Sequence, residues 1–213
     1  MEYERLLELV GDEPIFETSL LLAGKVNPNV VRLQLTRWTK SGRIYQLRRG
    51  VYMIAPPYQK VRPHPFLIAN HLQRASYVSG HSALSLYGLI PDVVQLITSV
   101  TAGRPELLET ALGIFEFRHI KPELLSGYRM IELGNDQQAL VATPEKALLD
   151  MVYLTPGGDS SEYLRELRLQ NLEHLDIDEL HRLVETFNTP KLYRAYKVIT
   201  DLARAETQEY KTL

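Results

Sequence analysis

The chain has 213 residues, 45% hydrophobic and 23% charged, so a packed globular core is expected and wholesale disorder is not. It has no cysteine, which excludes disulfides, thiolate metal sites and a cysteine nucleophile. The first residues lack the basic segment of a secretory signal and no apolar run approaches a membrane span, so we expect a cytoplasmic protein without membrane contact.

The formal net charge of −2 conceals an uneven distribution of charge along the chain. Residues 18–91 contain no Asp or Glu, whereas residues 92–213 contain more acidic than basic residues. The acid-free segment holds ten basic residues: Lys25, Arg32, Arg37, Lys40, Arg43, Arg48, Arg49, Lys60, Arg62 and Arg74. This distribution predicts a polyanionic partner, because phosphate neutralisation supplies much of protein–DNA affinity and nearby carboxylates would oppose it.

Two short helices are predicted at the start of the chain. Residues 2–10 have the apolar spacing of an amphipathic helix, which Gly11 and Pro14 would end. A second helix is expected to begin near Thr18 or Ser19, since both are favourable capping residues, and to stop at Gly24.

A third helix is predicted over residues 28–41, with Pro28 at its first position and Gly42 after its end. Its buried stripe is expected to be Val31, Leu35 and Trp38. The opposite face would then carry Asn29, Arg32, Leu33, Thr36, Arg37 and Lys40. The pattern does not explain Leu33 there, which would either pack on a neighbouring helix or contact a thymine methyl group.

Two alternating, β-prone segments follow, residues 43–47 and 51–54, joined by the connection Arg48-Arg49-Gly50. They predict a β-hairpin with arginines at its tip. Three helices followed by such a hairpin are typical of a winged helix-turn-helix. We therefore predict this domain over residues 1–55 and a proline-rich linker over residues 56–65.

Residues 66–213 are predicted to form a larger, mixed α+β domain, so that the whole chain is of the α+β class. Strands are expected at residues 93–100, 114–120, 129–133 and 139–142. Helices are expected at 66–74, at 79–87, after the Thr143-Pro144 pair, at 177–187 and at 190–209, with a loop at 157–161.

The third helix and the hairpin supply side chains suited to DNA. Asn pairs well with adenine and Arg with guanine, Lys suits phosphates, and Arg at a wing tip suits a narrow minor groove. The predicted DNA-contacting residues are Lys25, Asn29, Arg32, Thr36, Arg37, Lys40, Arg43, Tyr45, Arg48 and Arg49. The partner would be double-stranded operator DNA, and an inverted-repeat operator would be bound by two copies, as a homodimer on DNA.

Three segments carry a resemblance to a known family: LTRWTKSGRIYQLRRGVYMI (35–54), YVSGHSALSLYGLIP (77–91) and VATPEKALLDMVYL (141–154). In this order the chain resembles the AbiEi antitoxins of type IV toxin–antitoxin systems of abortive infection. The resemblance implies a repressor of its own operon that counteracts a co-encoded nucleotidyltransferase-like toxin without needing to bind it. It implies that the C-terminal domain supplies the antitoxicity.

Two other functions stay open. The second domain of a transcriptional regulator would sense a ligand or a protein partner. A nuclease of the PD-(D/E)xK type would use Asp92 and Glu116, but Arg118 stands at the lysine position and cannot release its proton. We expect no enzyme, no cofactor and no metal, since the six histidines lack zinc-site spacing.

Overall fold

The computed structural model describes residues 1–23, 26–92 and 95–210. The N-terminal region is built from α1 (Tyr3–Val10), β1 (Phe16–Glu17), α2 (Thr18–Leu21), α3 (Pro28–Lys40), β2 (Ile44–Arg48) and β3 (Val51–Ile54). The three predicted helices and the hairpin are confirmed. The predicted helix stop at Gly24 lies outside the described residues.

The start of α2 differs from the prediction. Glu17 occupies the N-cap position, without a capping hydrogen bond from its side chain. Thr18 instead belongs to the helix, and its backbone N–H donates to the carbonyl of Gly50 at 2.9 Å. A contact with the hairpin, 32 residues later in the chain, therefore takes the place of the local cap.

Helix α3 begins and packs as its sequence predicts. The Asn27 side chain accepts a hydrogen bond from the backbone N–H of Asn29 at 2.9 Å, and Pro28 follows at the first helical position. The buried residues of α3 are Val31, Leu35 and Trp38. They pack in a small core with residues from α1, α2 and the three-stranded antiparallel sheet, whose strand order is β1-β3-β2.

The larger region is a mixed sheet with helices packed on it. Its strands are β4 (Ser76–Val78), β5 (Leu96–Thr101), β6 (Glu106–Thr110), β7 (Gly113–His119), β8 (Tyr128–Glu132) and β9 (Gln138–Ala142). Its helices are α4 (Pro65–Leu72), α5 (Gly80–Leu86), α6 (Pro144–Leu154), α7 (Ser161–Glu166), α8 (Ile177–Phe187) and α9 (Pro190–Tyr210). Across the described ranges the sheet has six strands in the order β6-β7-β5-β4-β9-β8.

The pairings β4–β9 and β5–β7 are parallel, and the other neighbours in this sheet are antiparallel. Strands β4 and β6 and helix α7 are additions that the sequence patterns did not indicate. The predicted strand at 93–100 begins at Leu96 among the described residues, and its Val93 and Val94 fall outside them.

None of the helices within the described ranges has the length and apolar character to cross a membrane.

The hairpin β2–β3 lies between two cores. Ile44, Tyr52 and Ile54 belong to the small N-terminal core. Leu47, Val51 and Met53 instead belong to the large core of the six-stranded sheet. The separation into residues 1–55 and 66–213 remains a prediction, but the two regions bury apolar side chains against each other, and α4 begins at Pro65, inside the predicted linker.

Candidate nucleic-acid interface

The outward face of α3 is exposed along its length. Because the buried stripe fixes the rotation of the helix, the face opposite to it points to solvent. The exposed side chains on this face are Asn29, Val30, Arg32, Leu33, Thr36, Arg37 and Lys40. The structure thus brings together the five α3 residues that the sequence predicts to contact DNA.

The cations of this face are free of acidic partners. Neither Arg32, Arg37 nor Lys40 forms an ion pair with any residue that the structure describes. Arg32 donates to the Asn29 side-chain oxygen at 3.4 Å, which is a weak contact. Thr36 donates its hydroxyl to the Arg32 carbonyl at 2.9 Å, so the remaining capacity of that hydroxyl is to accept a hydrogen bond.

Arg43 and Tyr45 extend the exposed surface beyond the end of α3. The guanidinium of Arg43 lies 4.9 Å from the centre of the Tyr3 ring, a cation–π contact that orients it without neutralising its charge. The Tyr3 hydroxyl donates to the Arg43 carbonyl at 2.9 Å, and burial raises the pKa of that tyrosine. Tyr45 is exposed on β2, the next strand.

Three other cations of the acid-free segment pair with carboxylates from outside it. Lys60 lies 2.9 Å from Asp12, Arg74 2.6 Å from Glu17, and Arg48 3.1 Å from Glu106. The Arg74 guanidinium holds the pKa of Glu17 below its ordinary value. Within the acid-free segment, the cations of α3 and Arg43 therefore keep their charge without an ion pair to a described residue, as do Arg49 and Arg62.

The two arginines predicted at the hairpin tip have different surroundings. Strand β1 pairs with β3 up to Val51, the first residue of β3, which lies opposite Glu17. The hairpin tip therefore extends little beyond the end of β1. Arg48 turns towards the larger region, where it donates to the Leu72 carbonyl at 2.6 Å and pairs with Glu106. That Arg48 contacts DNA stays a prediction, and in this structure its guanidinium joins the hairpin to the six-stranded sheet.

Arg49, the other tip residue, is exposed and has no ion pair with a described residue. It lies at the opposite end of β2 from Arg43. Five strand residues separate the two, which corresponds to about 20 Å. Arg49 therefore lies well away from Arg43 along the hairpin, while Lys25, also predicted to contact DNA, lies outside the described residues.

The sequence patterns did not indicate a buried polar cluster formed by Tyr77, Ser79, Lys146 and Asp150. Lys146 donates to Asp150 and, at 2.7 Å, to the Tyr77 hydroxyl. Tyr77 and Ser79 donate to the second Asp150 oxygen at 3.0 and 2.8 Å. The four side chains are essentially inaccessible to solvent. The spacing of Lys146 and Asp150 by four residues within an apolar helical segment was the available signal.

Burial opposes the charges of this cluster, and pairing offsets that effect only in part. Desolvation lowers the pKa of Lys146 and raises the pKa of Asp150, while their mutual attraction counteracts both shifts. The Lys146 ammonium also lies 4.7 Å from the centre of the Phe187 ring on α8. Two of the segments that carry the family resemblance, 77–91 and 141–154, thus meet in the core, where their polar residues satisfy one another.

Two residues of the nuclease alternative, Asp92 and Arg118, have other partners. Asp92 pairs with Arg168 at 2.8 Å, and Arg118 donates to the Leu154 carbonyl at 2.6 Å. Among the described residues there is no group of three or more His, Asp or Glu side chains placed to hold a metal ion.

Comparison with known proteins gives a likeness of fold. No protein-family profile matches the chain, and no curated protein sequence matches it. The structure is similar to the crystal structure of the RV2827C protein from Mycobacterium tuberculosis, with a TM-score of 0.59. The two share 17% sequence identity over 94% of this chain and 76% of the other.

Proposed function

We propose that the N-terminal region is a winged helix-turn-helix that binds double-stranded DNA with α3 in the major groove. The element order α1-β1-α2-α3-β2-β3 and the pairing of β1 with β3 support this assignment. The observation that carries it is the exposed face of α3, whose cations have no acidic partner in the described part of the chain.

In the proposed complex Asn29, Arg32 and Arg37 contact base edges, because amide and guanidinium groups can form paired hydrogen bonds with adenine and guanine. Lys40, Arg43 and Arg49 contact phosphates, where charge matters more than geometry. Arg48 is left out of this set, since it holds the hairpin against the larger region.

The biological role that we propose is autorepression coupled to antitoxicity. It rests on the three sequence segments that resemble AbiEi antitoxins, and the toxin would be nucleotidyltransferase-like. A toxin gene beside this one, and growth rescue when both are expressed, would support the role. Rescue that persists in a variant unable to bind DNA would assign antitoxicity to the larger region.

The first prediction concerns binding to the chain's own upstream DNA. Arg37→Ala should lose about 1–3 kcal/mol of selectivity over random DNA. Lys40→Ala should instead lower the affinity for every duplex by a similar factor and reduce the salt slope of binding by about one. Fluorescence anisotropy across a salt series measures both quantities.

Arg165→Ala is the matched control, because Arg165 is an exposed arginine on α7 in the acidic part of the chain. It should leave affinity and salt slope unchanged. Wild-type protein that shows no preference over random DNA at any salt concentration would contradict the autorepressor proposal.

A further inference from the structure

Leu33 is an apolar residue at the centre of the exposed face of α3. Its spacing places it one turn after Asn29 and one turn before Arg37, with Lys40 one further turn along the same side. The residue is 51% exposed, and Val30 beside it is 48% exposed. Neither belongs to either core cluster, so packing within the chain does not explain them.

The surroundings of Leu33 indicate which partner covers it. Apart from Val30, the exposed neighbours on α3 are polar or cationic, and residues 18–91 contain no carboxylate. Such a surface matches a polyanion, and an apolar side chain at its centre matches the one apolar group that the major groove presents, the thymine C5-methyl.

We propose that Leu33 is a specificity-determining residue that recognises a thymine methyl group in the bound DNA. The inference rests on the proposed DNA-binding function and deepens it. The flanking Asn29 and Arg37 hydrogen-bond base edges on either side, so the face reads a short sequence with a thymine between the two polar contacts. Val30, at the flank of the same face, packs against the neighbouring sugar or methyl group.

The test uses the full-length chain and duplexes that it selects from a random pool. Each thymine in the selected sequence is replaced in turn by deoxyuridine, which removes only the methyl group. At one position the wild type should lose about four-fold in affinity, or about 0.8 kcal/mol at 1.4 kcal/mol per tenfold change. Leu33→Ala should bind the thymine and uracil duplexes with affinities within two-fold of each other.

Leu107→Ala is the matched control, since Leu107 is 61% exposed on β6, outside α3. This variant should keep the four-fold methyl dependence. A wild type indifferent to every methyl group, or a Leu33→Ala variant that keeps the dependence, would overturn the inference while leaving DNA binding intact.

Two further outcomes are distinguishable. Failure to select any sequence would overturn the proposed function, and the inference with it. A Leu33→Ala variant that binds both duplexes like the wild type but shifts the sedimentation coefficient would assign the apolar patch to self-association, against the inference.

Discussion

Lys146 and Asp150 are charged residues that the protein buries completely, on the helix α6 that packs against the six-stranded sheet. Two ions removed from water are tolerated only when pairing and hydrogen bonds replace their hydration. Tyr77 and Ser79 provide those bonds from β4 and the residue after its end. Gly127 lies against the lysine stem, and a Cβ at this glycine would stand 3.0 Å from the Lys146 Cγ.

Asp150→Asn should destabilise the fold by about 3–5 kcal/mol, because it removes the negative charge and leaves the Lys146 ammonium buried without a counter-ion. Urea unfolding at neutral pH, followed by circular dichroism, measures this loss. The double variant Lys146→Met/Asp150→Asn should recover part of it, since the uncompensated charge is then gone.

Asp12→Asn is the control for that experiment, because Asp12 pairs with Lys60 on the exposed surface. Surface ion pairs contribute little, so this variant should unfold close to the wild-type midpoint. Equal effects of Asp12→Asn and Asp150→Asn would show that the buried pair does not hold the core together.

At the scale of single elements, local capping explains where several helices begin. Asn27, Ser160, Asp176 and Thr143 each accept a hydrogen bond from a backbone N–H in the first turn of their helix. Helix α4 uses a histidine in this role: His64 Nδ1 accepts from the Phe66 N–H at 3.1 Å. This cap requires an unprotonated Nδ1.

The protein should become less stable on acidification, because protonation of His64 removes the cap of α4. Burial lowers the pKa of His64 below the ordinary 6.5, so the unfolded chain takes up the proton first as the pH falls. The stability from the neutral cap is therefore full above pH 6.5 and declines as the pH falls below 6.5 towards the folded-state pKa. Urea midpoints between about pH 7.5 and pH 5.5 measure the slope.

His64→Asn separates this histidine from His71, whose pKa burial also lowers. Asparagine keeps a capping oxygen but does not titrate, so the variant should have a shallower decline than the wild type. His64→Ala should lose about 1 kcal/mol near pH 7.5 and less near pH 5.5, because the wild type has itself lost part of the cap there. An unchanged slope in His64→Asn would place the acid sensitivity elsewhere.

At the scale of the whole molecule, the hairpin β2–β3 connects the two regions through its two faces. One face closes the small core under α3, and the other enters the core of the six-stranded sheet. Arg48 adds a polar link to Leu72 and Glu106. The orientation of α3 relative to the larger region is therefore fixed by packing and not by the chain connection alone.

Replacing Arg48 should change the stability of the protein, whereas replacing its neighbour Arg49 should change its binding to DNA. Arg48→Ala removes the contacts with the larger region and should cost about 1 kcal/mol of stability, because its guanidinium is only partly exposed. Arg49→Ala should leave the urea midpoint unchanged but reduce the salt slope of DNA binding by about one. The reverse assignment of the two effects would contradict the proposed division of roles at the tip.

The sequence alone determined the class of the fold, the bounds of α1, α3 and α8 to within a residue or two, and the exposed face of α3. These features follow from local physics: helical periodicity, capping side chains and the positions of proline and glycine. The acid-free distribution of charge is equally a property of the sequence.

Only the tertiary structure decided that Arg48 contacts the larger region and that Lys146 lies in a buried polar cluster. It also decided that the hairpin β2–β3 contributes side chains to two cores. Strand β6 was missed because its edge position leaves it without a buried run, and β4 because three residues carry too little pattern. Lys146 and Tyr77 are 69 residues apart in sequence, and no local preference encodes their contact. Such pairings arise when packing brings distant segments together and excludes the water that would otherwise solvate their polar groups.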